Sequence, residues 1–119
     1  MHNYRELKIW KNAIEVSVEI YQLLDQFPKI EKFNLSSQMR KSAVSIPSNI
    51  AEGAGRNTDK DFIRFLGIAL GSSFELHTQL IISYKLKLIS DIDFKTLDGS
   101  LDEIEKMIWG FQKKLSSNV

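Results

Sequence analysis

Phe94-Lys95-Thr96-Leu97-Asp98-Gly99-Ser100-Leu101-Asp102-Glu103-Ile104-Glu105-Lys106-Met107-Ile108-Trp109-Gly110-Phe111-Gln112-Lys113-Lys114-Leu115 decides the fold. Phe94, Leu97, Leu101, Ile104, Ile108, Phe111 and Leu115 recur at steps of 3-4-3-4-3-4. That spacing brackets the 3.6-residue helical turn, so all seven side chains share one face while acids and lysines occupy the other. A helix with one apolar stripe must bury it against other helices. The rest of the chain has to supply them.

Moving toward the N-terminus, a long third helix is predicted from about Asp59 to Ile89, with Phe62, Leu66, Ala69, Ser73, Leu76, Leu80 and Leu88 as its seam. Ile63, Leu70, Phe74, Ile81 and Tyr84 flank that seam. Gly67, Gly71, Ser72 and Ser73 read as a packing notch, because small residues let another helix come close. Thr58 followed by Asp61 resembles a capping box at its start. Asp91 and Asp93 offer caps for the last helix.

The second helix follows Asn34 as N-cap, with Leu35, Met39, Ala43, Ile46, Ile50 and Ala54 inward. Pro47 interrupts it, removing an amide donor and crowding the preceding turn. The apolar spacing keeps its phase across Pro47, which predicts a kinked but continuous helix. Ser45 and Ser48 hydroxyls near Asn49 and Glu52 could bond backbone carbonyls and support the bend. Gly53 and Gly55 loosen the helix end, and Arg56-Asn57 carries the turn.

The first helix is predicted from about Tyr4 to Gln26 and ends at Phe27-Pro28, with Pro28 to Phe33 as connector. Leu7, Trp10, Ile14, Tyr21 and Leu24 form the expected buried face; Ile9, Ala13, Val16, Ile20 and Phe27 lie beside it. Together they make an apolar surface wider than one seam needs, which fits either self-association or a helix deeply embedded in the bundle. Ser116 to Val119 reads as a frayed tail. The result is all-α: an antiparallel up-down-up-down four-helix bundle, one domain over residues 1–119, whose third helix would overshoot its neighbours.

Composition agrees. At 43% hydrophobic and 26% charged with net charge +1, the 119-residue chain has the profile of one folded core. It has no cysteine, which excludes disulfides and thiolate chemistry. No uninterrupted apolar run approaches the roughly 18 residues of a membrane span, and the N-terminus lacks a secretory apolar stretch. Cytoplasmic residence is the default expectation.

The stretch Ser45-Ile46-Pro47-Ser48-Asn49-Ile50-Ala51-Glu52-Gly53 resembles the family of small four-helix proteins encoded within intervening sequences of bacterial 23S ribosomal RNA genes. Leu7-Lys8-Ile9-Trp10, Gln38 to Arg40, and Gly71-Ser72 with Glu75-Leu76 and Gln79-Leu80 extend the resemblance over nearly the whole chain. It implies a homopentamer without enzyme activity. It also implies a relation to the accessory proteins of diversity-generating retroelements, similar bundles that bind nucleic acid and a reverse transcriptase.

Catalytic signals are sparse. No HExxH, paired ExxH, phosphate loop or nucleophile elbow is present. His2 is terminal, and His77 reads as a semi-buried histidine. Glu15, Glu19, Glu52 and Glu75 lack the Glu-x-x-His pairs of a bundle di-metal centre. Neither metal, cofactor, membrane nor small-molecule substrate is expected. Arg40 and Glu75 fall at the same height on either side of the Asn57 turn and are expected to form an ion pair.

Charge placement carries the functional expectation. An up-down bundle gathers Arg5, Lys8, Lys11, Arg56, Lys60, Arg64, Lys113 and Lys114 at one end with Glu6, Glu52, Asp59 and Asp61, eight cations against four acids, or +4. The opposite end is net −2, with Lys29, Lys32, Lys85, Lys87 and Lys95 against seven acids. Two readings follow. In one, a homo-oligomeric scaffold binds RNA or an RNA-associated protein through the basic end. In the other, the chain is purely a protein-interaction or structural module, and the polarity only aids solubility.

Overall fold

The computed structural model describes residues 1–31 and 34–118. Part of the expected connector (Lys32, Phe33) and the tail residue Val119 lie outside the described residues. Four helices account for the architecture: α1 (Lys8–Leu24), α2 (Leu35–Ala54), α3 (Asp59–Lys85) and α4 (Asp91–Ser116), with short 3-10 turns at Tyr4–Glu6 and Lys29–Glu31. Each helix packs on the next, and α4 closes against α1. The result is an all-helical four-helix bundle measuring 46 × 23 × 20 Å.

The α4 stripe behaves as its spacing requires. Leu97, Leu101, Ile104, Ile108 and Leu115 are buried, and Phe94 and Phe111 are partly buried against the core. On α3, Phe62, Leu66, Ala69, Ser73, Leu76 and Leu80 are all buried. The α2 stripe from Met39 to Ala54 is likewise fully enclosed.

The first helix corrects the sequence expectation. Its buried face is Ile9, Ala13, Val16, Ile20, Leu23 and Leu24, so the stripe taken as secondary is the core. Ile14 and Tyr21 are 37% and 42% exposed, while Leu7 and Trp10 are only partly buried. The small Ala13 decides the orientation: only that face lets Ser17 reach the α2 backbone, with Oγ 2.9 Å from the Ala43 carbonyl. The helix also starts later, because Leu7 is extended (φ −75°, ψ 124°), and it ends at Leu24, ahead of Phe27-Pro28.

α2 runs unbroken through Pro47, whose ring is buried. Proline has no amide to offer the carbonyl four residues earlier, which is that of Ala43. The Ser17 hydroxyl reaches it from the neighbouring helix, its one proton shared between the Ala43 carbonyl and that of Ala13 in its own helix, each 2.9 Å away. Ser45, expected to bond a carbonyl, instead meets the Ser72 hydroxyl on α3 at 2.8 Å, and the Asn49 amide donates to the Ser45 carbonyl at 2.8 Å. Asn34 occupies the N-cap position, but its side chain makes no cap bond.

The close approach of α2 and α3 is at Gly53, where an added Cβ would stand 2.6 Å from the Phe65 Cβ. The expected notch is therefore only half used. Ser72 and Ser73 face neighbouring helices and Gly67 leaves room for Gln112 of α4, 3.4 Å from where a Cβ would stand, whereas Gly71 has open space around it. Thr58 caps α3 as expected, accepting from the Asp61 amide at 3.1 Å.

α3 stops at Lys85, four residues early. Lys87 adopts a left-handed conformation (φ 63°), its amide donates to Tyr84, and the Leu88 amide donates to Ser83. Those two bonds satisfy the last carbonyls in the manner usually served by glycine. α3 has 27 residues and α4 has 26, so α3 does not overshoot α4. Ser90, not Asp91 or Asp93, caps α4, accepting from the Asp93 amide at 3.1 Å.

By length and composition α3 could cross a membrane, with an 18-residue window of mean hydropathy 1.3. In the bundle its seam is core, and the surplus apolarity comes from Ile68, Phe74, Ile81 and Ile82 on the outside.

Candidate nucleic-acid interface

The N-terminal segment joins three parts of the chain at one end of the bundle. The His2 amide donates to the Ala54 carbonyl at 2.8 Å, and its ring nitrogen lies 3.1 Å from Asp59. The same ring packs on Phe62 at 5.0 Å and on Phe111 at 6.3 Å. One residue thus ties the chain start to the α2–α3 turn and the end of α4. All eight expected cations are exposed.

Aromatic rings hold several of them. The Arg56 and Arg64 guanidiniums each lie 4.6 Å from the Phe65 ring centre, and the Lys113 ammonium lies 4.6 Å from that of Trp109. Arg5 sits 5.6 Å from the Tyr4 ring. Such contacts orient a cation while leaving its donors free for an anion. Arg56 also pairs with Glu52 at 3.2 Å; among the described residues it is the only one of the eight in an ion pair.

The structure does not bring Arg40 and Glu75 together. Arg40 lies 3.6 Å from Asp25 of the α1 end and over the Tyr21 ring, whereas Glu75 accepts from Ser42 at 2.6 Å. The height was right but the direction was wrong. Ser42 is about 200° around the helix from Arg40, so one faces α3 and the other α1. The carboxylates Glu15, Glu19, Glu52 and Glu75 are also dispersed: the first two are on the α1–α4 side, Glu52 is with Arg56 and Glu75 is with Ser42.

Sequence reasoning missed a polar cluster between α3 and α4. His77 Nε2 is 2.6 Å from Asp98, and Nδ1 is 2.9 Å from Glu105, which also accepts from Ser73 at 2.8 Å. Burial works against a charged imidazole, but the bonds to Asp98 and Glu105 outweigh it and raise the His77 pKa above its usual 6.5. Ligand atoms of His77, Asp102 and Glu105 lie within 4.8 Å of one another, a spacing a divalent cation can bridge. With a carboxylate on each ring nitrogen, the arrangement is that of a protonated clamp joining two helices. His77 is 21 and 28 residues from its partners, so no local motif announces it.

Two outward faces remain. Ile14, Val18 and Tyr21 of α1 lie beside Val44 of α2, and all four are exposed. On the α3–α4 side, Phe74 (53% exposed) and Ile81 of α3 and Trp109 (55%) of α4 are exposed.

These features define a four-helix bundle with exposed cations, a half-buried polar clamp between α3 and α4 and apolar outer faces. The chain matches the 23S rRNA-intervening sequence protein family over residues 5–110 and belongs to it. It is similar to a crystal structure of a protein of unknown function from the S23 ribosomal protein family of Bacteroides thetaiotaomicron. The TM-score is 0.83 at 25% identity, covering 88% of this chain and 98% of that one. No curated protein matches.

Proposed function

We propose that the protein is a non-enzymatic homo-oligomeric scaffold that binds RNA through its basic end. What supports this reading is that all eight cations assigned to that end by the helix order are exposed, against four acids, and that His2 joins the chain start to the α2–α3 turn there. The outer faces support self-assembly. They lie on the α1–α2 and α3–α4 sides of the bundle and differ in composition, so face-to-face pairing of identical patches would leave one of them bare. A head-to-tail contact covers both, and such a contact forms a ring where its rotation closes. The family resemblance makes five the expected number of copies. Rotation about an axis parallel to the helices then puts every basic end on one rim, multiplying a modest +4 into a strong local field.

The test is an RNA titration at several salt concentrations, with sedimentation of the same sample. Binding should weaken steeply with salt, and replacing Arg56, Lys60 and Arg64 by Gln should flatten the log–log slope by about 2, at ~0.7 per single-strand phosphate contact. Undetectable binding at low salt, or a triple variant indistinguishable from the parent, overturns the reading in favour of a protein-only module.

A further inference from the structure

Resting on the reading of the basic end as an RNA-binding surface, we infer that the groove between α1 and α4 seats one unpaired nucleotide of a single-stranded RNA, its base on the groove floor and its phosphates at the rim. The groove is lined by Lys8, Ile9, Met107, Gly110, Phe111 and Lys114. Its volume is about 280 Å³, close to the smallest ligand pockets at roughly 300 Å³.

The lining has the two chemistries a nucleotide needs. Ile9, Met107 and Phe111 provide an apolar floor. Phe111 is held in place by the Phe62 ring at 5.4 Å and by His2. Met107, an adaptable side chain, is positioned by the Asn12 amide 3.4 Å from its sulfur. Lys8 and Lys114 supply two ammoniums at the rim, and no carboxylate is among the lining residues. α1 begins at Lys8 with no side-chain cap bond and no acid in its first turn, so the positive end of its dipole is uncompensated beside those ammoniums.

A paired duplex presents phosphates but keeps its base faces stacked. An unpaired base can leave the stack and lie on an aromatic floor, which is how single strands are commonly held. The groove therefore selects single-stranded over duplex RNA, a distinction that the basic end alone does not make.

Gly110 provides the test. A Cβ built there meets no atom within 4 Å, so Gly110→Leu can project into the groove without disturbing the helix packing. Replacing a mid-helix glycine should also raise the melting temperature, which verifies that the variant folds. The probes are a labelled oligouridylate and a duplex RNA of the same length, titrated by anisotropy against parent and variant. The expected result is tighter parent binding to oligouridylate, about tenfold weaker binding of it by Gly110→Leu, and unchanged duplex binding. Lys8→Gln with Lys114→Gln should weaken oligouridylate binding and lower its salt slope.

If the parent binds both RNAs and Gly110→Leu changes neither, the groove inference is overturned while the basic-end reading stands. If Gly110→Leu alters sedimentation and leaves RNA affinity alone, the groove is a contact between copies and the inference is likewise overturned. Absence of binding to either RNA removes both.

Discussion

Replacing Ser17 tests how a proline is accommodated inside α2. Pro47 cannot donate to the Ala43 carbonyl, and the Ser17 hydroxyl, 2.9 Å from it and 2.9 Å from the Ala13 carbonyl of its own helix, is the donor in place to replace the missing amide. Ala43 is fully buried, so water offers its carbonyl little relief once Ser17 becomes alanine. An unsatisfied buried acceptor costs about 1–3 kcal/mol. For a chain of this length each kcal/mol moves the melting midpoint by about 4 °C, so Ser17→Ala should lower it by roughly 4–12 °C. In a Pro47→Ala background the residue-47 amide can bond Ala43 directly, and the same Ser17 change should lose only the ordinary worth of a hydrogen bond, about 0.5–1 kcal/mol. The two substitutions should therefore couple by about 1 kcal/mol or more in a double-mutant cycle. Thermal and urea unfolding at one fixed protein concentration measures this without interference from assembly. An equal loss from Ser17→Ala in both backgrounds would refute the compensation.

Lys87→Gly should stabilise the protein by about 0.5–1 kcal/mol, because a lysine at φ 63° bears a left-handed penalty of ~1–2 kcal/mol, partly offset by glycine's greater freedom when unfolded; chemical denaturation checks it. Stability should fall as pH rises through the raised His77 pKa. The clamp's contribution is fully present below pH 6.5, where His77 is protonated in both folded and unfolded chains, and it disappears once the folded imidazole loses its proton. His77→Gln should remove that pH dependence, which unfolding between pH 6 and 9 can show. Gly53→Ala should be strongly destabilising, since its Cβ would lie 2.6 Å from the Phe65 Cβ, whereas Gly99→Ala, with open space around it, should gain about 1 kcal/mol; their melting temperatures should move in opposite directions.

The parts of the fold legible in the sequence were those governed by one helix at a time. The α4 spacing, the α2 stripe on both sides of Pro47 and the Thr58 cap each depend on residues within a few positions of one another. What escaped reading depended on a second helix. Two apolar stripes on α1 were visible, but only the fit of Ala13 and Ser17 against Ala43 decides which faces inward. The heights of Arg40 and Glu75 followed from counting to the turn; their directions around α2 and α3 did not. Lys87 gives no glycine signal, because here the hydrogen bonds to Ser83 and Tyr84 impose the left-handed turn on an ordinary residue. The cationic end was inferred from the order of the helices alone. The groove was not legible, because it depends on Ile9, Met107 and Phe111 meeting across α1 and α4, which helix order alone does not give.

Two polar residues of the stretch carrying the family resemblance are engaged within the bundle, Ser45 on Ser72 and Asn49 on the Ser45 carbonyl, and the vacancy beneath Pro47 faces Ser17, whereas Ser48 and Glu52 are exposed. The engaged residues help to fix how α1, α2 and α3 fit. The proposed ring uses the α1–α2 and α3–α4 sides, where Tyr21 and Phe74 are exposed, and the groove opens on the α1–α4 side. Assembly therefore leaves the groove uncovered. The two proposals share the basic rim without competing for the same surface, and a strand following that rim would meet one identical groove per copy. Repetition then compensates for weak contacts at each site, because every seated nucleotide raises the effective concentration of the next.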